Sequence, residues 1–333
     1  MRRKKGDFKK YDLCVYFEID SFLPIGTHFD FLQDSSYKKT DIMGKGYLLK
    51  TMKFRGQYSQ GLVMPLSEFP EIDQDKTEEE LLGMDVTDLL GIKKYEIEER
   101  ATGSGTIIGQ KPSFIPTTDE TRVQSEPGLI TELFGKPYYM STKMDGSSHS
   151  IGIDEEGTAH ICGHHYEYAD NGKSSFYEYV KKNRYAENMK MWMAAHPEAK
   201  TFVIQGEWCG PGLQGNPIGL ARPHWFVFTV IINGKRLGIS PDVHEDFRYI
   251  AHTLEMETVP IAETGDSFPY KTPEELLGKA DGIYEKFDGS KQDRPREGLV
   301  IRPQVPVQSQ VTGTWLSMKA VSNQYLAKKS KKG

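Results

Sequence analysis

The stretch Lys136-Pro-Tyr-Tyr-Met-Ser-Thr-Lys143-Met-Asp145-Gly146 reads as a strand that runs into a tight turn and presents a lysine there. A lysine amine is a nucleophile only when neutral. A site built around Lys143 therefore has to lower its pKa through desolvation or neighbouring cations, metal ions included. Gly146 lets the backbone come close to a bound group, and Asp145 can hydrogen-bond or orient the turn. By itself Lys-x-Asp-Gly recurs by chance in surface turns, so its weight depends on the segments downstream of it.

Four such segments occur in order. Phe202-Val-Ile204 is strand-like and leads into Gly206-Glu207-Trp-Cys-Gly-Pro-Gly-Leu-Gln-Gly-Asn216, which offers one carboxylate where a ribose hydroxyl or a metal ion could be met. Trp225-Phe226-Val-Phe228 is an aromatic strand with Phe226 and Phe228 on one face, able to stack on a purine. Glu297-Gly-Leu-Val-Ile301 brings a second carboxylate to the head of an apolar strand. Ser317-Met-Lys319-Ala-Val321 brings a lysine suited to a phosphate. Taken singly, the aromatics would be ordinary core and the charges ordinary surface.

In this order and at these spacings the five segments resemble the covalent nucleotidyltransferase superfamily of ATP-dependent ligases and mRNA capping enzymes, over roughly residues 120 to 326. The resemblance implies that Lys143 attacks ATP and carries AMP as a phosphoramide. It also implies that Glu207 and Glu297 hold Mg²⁺ or Mn²⁺, that Phe226 or Phe228 stacks on the base, and that Lys319 meets the α-phosphate. Capping enzymes and most DNA ligases carry an OB domain after the last motif, whereas only 14 residues come after Lys319 here. The extra domain precedes the nucleophile. Arg55-Gly-Gln-Tyr-Ser-Gln-Gly-Leu-Val-Met-Pro-Leu66 looks like the N-terminal OB module of the nick-sealing RNA ligases known as the fifth RNA ligase family. The Gly206–Asn216 segment and Arg122-Val-Gln-Ser-Glu126-Pro127 fit that group too, with Arg122 and Glu126 as candidates for the nucleotide pocket. By the same resemblance Asp145 and Gly146 line that pocket, and Lys50, Lys53 and Arg55 grip the nucleic acid.

Two departures stand out. Many ligases carry a phosphate- or ribose-binding arginine on the strand after the nucleophile, but here the segment reads Ile161-Cys-Gly-His164-His165-Tyr166. Either a histidine, with His164 the candidate, replaces the arginine, or the contact is lost. The last motif is often Lys-x-Lys, and here Val321 holds the second position.

The rest of the chain fits this division. Alternation over Tyr11–Ile19, with Leu13, Val15, Phe17 and Ile19 on one face, opens a β-rich region, and Gly46–Phe54 and Gly61–Leu66 continue it. Thr77 with Glu80 forms a capping box. Gly, Ser, Thr and Pro dominate between Arg100 and Arg122 and mark a boundary. The expectation is an α+β chain: an OB-type β-barrel over 1–105, a linker over 106–120 and a nucleotidyltransferase domain over 121–333. In the last, Ser175 with Glu178 caps a helix with Phe176, Tyr179, Val180 and Met189 to Met193 inward. Thr272, Pro273 and Glu275 open another.

Composition sets bounds. Hydrophobic residues are 37% and charged residues 27% of 333, as in soluble globular proteins. No apolar run could span a bilayer and no export signal is visible after the basic N-terminus, so a cytoplasmic setting is expected. A net charge of −5 argues against binding nucleic acid by overall charge but not by a local basic stripe, and basic clusters lie at Arg2–Lys10 and Lys328–Lys332. Cys14, Cys162 and Cys209 form no CxxC pair and read as buried small hydrophobes. The substrate expected is RNA with 3′-hydroxyl and 5′-phosphate ends, in a duplex nick, an RNA/DNA hybrid or a broken tRNA loop. No feature calls for an obligate protein partner. The rival readings are a capping-type guanylyltransferase, a DNA ligase, and a non-catalytic nucleic-acid-binding protein with the same fold.

Overall fold

The computed structural model describes residues 8, 12–26, 28–40, 43–54, 57–73, 75–95, 105–287 and 293–330. Two compact units emerge, one of Met1–Glu99 with Leu326–Gly333 and one of Arg100–Tyr325.

The first unit is built of short strands. Cys14–Glu18 pairs antiparallel with Gly61–Pro65, and the alternation seen in the sequence is realised: Val15, Phe17 and Ile19 are buried while Tyr16 stays exposed. A four-stranded sheet runs in the order Tyr37–Thr40, Gly44–Leu48, Ser21–Pro24, Lys93–Lys94. Phe17, Phe29 and Phe69 meet ring to ring at 5.4 to 6.2 Å and, with Leu23, Leu62 and Met64, form the core. Each buried Phe or Leu contributes roughly 1.5–3 kcal/mol. The run expected as one strand over Gly46–Phe54 is split, into Gly44–Leu48 and Met52–Phe54. Thr77 makes its capping box with Glu80 at the head of Glu78–Leu81. Cys14 is exposed rather than buried, because the strand alternation puts it on the outer face.

In the second unit two sheets carry the elements that matter. The five-stranded sheet has the order Thr121–Arg122, Met318–Val321, Gly298–Pro303, Tyr138–Lys143, Ile261–Gly265. The seven-stranded sheet runs Lys235–Arg236, His224–Ile232, Phe202–Cys209, Ser147–Ile153, Ala159–Cys162, Tyr166–Tyr168, Ile107–Gln110. Tyr138–Lys143 is flanked on both edges and five of its six residues are buried, which is why it reads as a continuous apolar and aromatic run rather than an alternating one.

Residues 106–120 are not a linker. Ile107–Gln110 is an edge strand of the seven-stranded sheet, and Ile115 packs with Cys162, Val203 and Ile231. Their Gly- and Pro-rich composition reflects an edge position, not freedom from the fold. The helix expected from Ser175 is capped one residue earlier, by Ser174 accepting from the Tyr177 amide. It ends at Lys182, and a second helix, Tyr185–Ala195, starts after Arg184 takes a left-handed turn at φ 55°. Met189 is buried there but Met191 is exposed, as a helical period requires. Thr272 and Glu275 form the expected capping box with Pro273 at the first turn. No helix among the described residues is long and apolar enough to cross a membrane.

One buried side chain ties the two sheets together. Arg302, on Gly298–Pro303, donates to the Phe228 carbonyl at 2.7 Å and the Thr229 hydroxyl at 3.2 Å on the other sheet. It also donates to Ser317 at 3.0 Å and pairs with Glu120. Removing one partner of a buried pair leaves an uncompensated charge. Arg302→Met is expected to cost about 3–5 kcal/mol in urea unfolding, and combining it with Glu120→Gln to recover a large part of that loss.

Candidate active site

The two sheets bring the motif residues together. Tyr138–Lys143 and Gly298–Pro303 are antiparallel with Lys143 opposite Gly298, so Glu297, one residue before, falls beside the lysine. The amine donates to the Glu297 carboxylate at 2.8 Å. Met318–Val321 lies on the far edge of Gly298–Pro303 with Lys319 opposite Val300, and Thr121–Arg122 adds Arg122 opposite Lys319. From the other sheet, Glu207 sits across from Ser148, and its carboxylate accepts from the Gly146 amide at 3.0 Å. The turn after Lys143 is thus pinned to the Glu207 side chain of the second sheet through its own main-chain amide.

Gly146 is required sterically. A Cβ there would stand 2.3 Å from the Trp208 carbonyl oxygen and 2.7 Å from the Cys209 sulfur. Met144, two residues earlier, is buried with Cys209, Phe226 and Val259, which anchors the turn in the core.

Electrostatics depart from the expectation of a lysine with lowered pKa. Burial pulls the Lys143 amine down, but Glu297, Glu207 and Asp145 outweigh it and hold the ammonium above its ordinary range. Burial pushes the Glu207 carboxyl up to about 8; Lys143 opposes this, and Glu297 and Asp145 add to it. Lys319 is shifted the other way: burial, then Lys143 and Arg122, bring it down to about 8. The site therefore holds a charged lysine locked to carboxylates beside a second lysine that is close to losing its proton.

The remaining sequence candidates divide. Asp145 is buried in the turn and acts on Lys143 by charge. Phe226 and Phe228 join the same cluster, but Phe226 is fully buried against Phe287 at 4.8 Å, beside a cavity of about 440 Å³. Phe228 is half-buried. His164 sits in the turn after Ala159–Cys162, 3.3 Å from the Thr118 hydroxyl and 3.8 Å from Asp119. Thr118 in turn meets Ser148 at 2.7 Å, so His164 reaches the strand beside Glu207 through one hydroxyl. Glu126 lies against Gly128 and is not among the charges acting most strongly on Lys143 or Lys319. Val321 is buried opposite Gly298. Lys50 is exposed in the first unit; Arg55, the side chain of Lys53, Arg2–Lys5, Lys9 and Lys10, the side chains of Lys328 and Lys329, and Lys331–Lys332 lie outside the described residues. Sequence reading missed Arg302 and Glu120, since 182 positions separate them.

Among the described residues no cluster of three or more His, Cys, Asp or Glu side chains could hold a metal ion by itself. Glu207 and Glu297 nevertheless suit a hard divalent cation: both are oxygen donors, and Glu207, raised mainly by burial and further by Glu297 and Asp145, is a carboxyl whose charged form a cation would favour.

This fold and site define a nucleotidyltransferase domain preceded by an OB fold. An OB-fold domain model matches residues 1–66 and the RNA ligase model matches residues 136–321. The chain belongs to the RNA ligase family. Naegleria gruberi RNA ligase with pyrophosphate is similar at 29% identity and TM-score 0.80, over 99% of this chain and 90% of that one. A mutant of the same ligase with ATP and Mn gives 29% and 0.80 over 98% and 90%, and one with AMP and Mn gives 29% and 0.81 over 98% and 90%. No curated protein matches the sequence.

Gly146→Ala tests the turn. It is expected to lower stability by about 1–3 kcal/mol through overpacking, measured by thermal unfolding, and to separate Glu207 from the turn amide.

Proposed function

We propose that the chain is an ATP-dependent RNA ligase that joins 3′-hydroxyl and 5′-phosphate ends, with nicks in duplex RNA as the substrate, through a lysyl-AMP and a 5′-adenylylated RNA. The observation that carries this reading is Lys143 at a strand end, 2.8 Å from Glu297, with Glu207 hydrogen-bonded to the next turn and Lys319 close enough for the two amines to act on each other.

In the first step the neutral Lys143 nitrogen attacks the α-phosphorus of ATP; a P–N bond forms, the bond to the β-phosphate oxygen breaks and pyrophosphate leaves. A 5′-phosphate oxygen then displaces the lysine nitrogen, giving a 5′-5′ pyrophosphate. A 3′-hydroxyl finally attacks the RNA phosphorus and AMP departs. Positioning and charge neutralisation supply most of what such phosphoryl transfers need. Glu207 and Glu297 would hold Mg²⁺ or Mn²⁺, which would supply Lewis acidity at the phosphates. With those carboxylates engaged, the Lys143 amine would lose the charges that keep it protonated. Lys319 and Arg122 place positive charge beside the α-phosphate, Phe228 offers an aromatic face to the base, and Asp145, Glu126 and His164 border the nucleotide. Lys50, Lys53 and Arg55 of the OB fold take the RNA backbone.

The first test is incubation with α-³²P-labelled ATP or GTP and Mg²⁺ or Mn²⁺, then a denaturing gel. Label from ATP on the wild type, lost in Lys143→Ala, is the expected outcome. Label from GTP alone would move the reading to a capping enzyme, and no label with retained RNA binding to a non-catalytic protein. A DNA-only substrate in the subsequent sealing assay would make it a DNA ligase.

The pH profile of kcat/KM for ATP, which reports free-enzyme groups, carries a second prediction. It should rise with pH as Lys143 deprotonates. Above about 8 it should level off, because the loss of charge on Lys319, whose pKa is brought down to about 8, offsets the continuing deprotonation of Lys143, which is held above its ordinary range. A profile still rising well beyond that point would remove Lys319 from the α-phosphate.

A further inference from the structure

The main chains of Lys143 and Glu297 are joined by a side chain that belongs to none of the five motif segments. The antiparallel ladder between Tyr138–Lys143 and Gly298–Pro303 ends at Lys143 and Gly298. Just past that end, the Tyr284 hydroxyl donates to the Lys143 carbonyl at 3.3 Å and accepts from the Glu297 amide at 3.0 Å. One oxygen thus closes the open end of the ladder.

Tyr284 is itself fixed. Its ring is 3% exposed and packs among Met144, Cys209, Phe226 and Val259. Its amide donates to the Arg294 carbonyl at 2.8 Å, and two residues beyond Arg294 the Arg296 amide donates to the Gly282 carbonyl at 3.0 Å. On its other side Glu297 is held as well, its carbonyl accepting from the Ser322 amide at 2.8 Å. The carboxylate of Glu297 therefore projects from a backbone clamped at both its amide and its carbonyl. The clamp on the amide is the same atom that holds the backbone of the nucleophile.

We propose that Tyr284 is a positioning residue for the transfer of AMP to Lys143, its hydroxyl fixing the nucleophile strand against Glu297 without touching nucleotide or metal. The proposal rests on the reading of Lys143 as the nucleophile. It separates two parts of one side chain: the ring fills the cluster under the turn, and only the hydroxyl reaches the two main chains. Tyr284→Phe keeps the first and deletes the second, leaving a buried carbonyl and amide short of a partner where the ladder frays. A misplacement on the order of 1 Å at a reacting group can slow chemistry by about a hundredfold.

The experiment compares wild type, Tyr284→Phe and Tyr284→4-aminophenylalanine, the last restoring a hydrogen-bonding group at the ring tip. Three quantities are measured: the single-turnover rate of lysine labelling from α-³²P ATP across ATP concentrations, the melting temperature, and the sealing of chemically pre-adenylylated RNA, which bypasses attack by Lys143. The expected result for Tyr284→Phe is a labelling rate at saturating ATP lowered about 10- to 100-fold. Half-saturating ATP should stay near wild type, the melting temperature should fall by only a few degrees for the two main-chain groups left unpaired, sealing of pre-adenylylated RNA should be much less affected, and the amino variant should recover most of the labelling rate. Labelling by Tyr284→Phe at the wild-type rate would overturn the proposal. So would an equal loss in labelling and sealing, which marks general damage to the site. If Tyr284→Phe does not fold, an amino variant that folds and labels 10-fold or more below wild type overturns it, and one that labels at the wild-type rate supports it. Absence of label on the wild type would instead overturn the assignment of Lys143, and this inference with it.

Discussion

The arrangement of the second unit depends on a guanidinium buried between its sheets. Arg302 projects from the strand that ends beside Lys143 and spends its donors on a carbonyl and a hydroxyl of His224–Ile232, a serine hydroxyl near Lys319 in sequence and the carboxylate of Glu120. Burial lowers its affinity for a proton, but Glu120 and the hydrogen bonds outweigh this and keep it charged. A second buried arginine, Arg236, lies within range of the same carboxylate, brought down to about 10 by burial and by Arg302. Such a network adds little net stability over a well-packed apolar equivalent, but it tolerates few alternative geometries. Fixing the two sheets at one spacing matters here because Lys143, Glu297 and Lys319 stand on one and Glu207 and Phe226 on the other.

Much of this was legible in the sequence, and for a definite reason. Lys143, Glu207, Glu297 and Lys319 each sit on or beside a strand whose apolar run is readable from composition, so the sequence displays both the charge and the element that carries it. Gly146 was legible because the close approach of backbone to backbone admits no Cβ. Helix starts at Thr77 and Thr272 were readable because a capping box is local chemistry. The neighbouring serines at 174 and 175 defeated the same logic: both can cap, and tertiary packing of Phe176 and Val180 chose between them.

What the sequence concealed is long-range. Glu120 stands in a Thr- and Pro-rich stretch that looks like a spacer, and nothing local marks it as the partner of an arginine 182 residues away. Ile107–Gln110 looked structureless because an edge strand with exposed Ile107 and Ile108 lacks the alternation that burial imposes. Tyr284 lies between short, irregular segments and looks like one of 17 tyrosines until its hydroxyl is seen to meet two main chains.

The protonation of Lys143 links the carboxylates to the chemistry. A lysine meant to attack phosphorus was expected to be neutral, and desolvation does push it that way, yet three carboxylates hold it charged. Burial, with Glu297 and Asp145 adding to it, leaves Glu207 raised to about 8. A divalent cation held by Glu207 and Glu297 would act against both shifts, lowering the Lys143 amine and the Glu207 carboxyl. The nucleophile would then be released only when metal and phosphates are present to receive the charge. An amine that stayed neutral in the empty site would have no such coupling and would be open to any electrophile that entered.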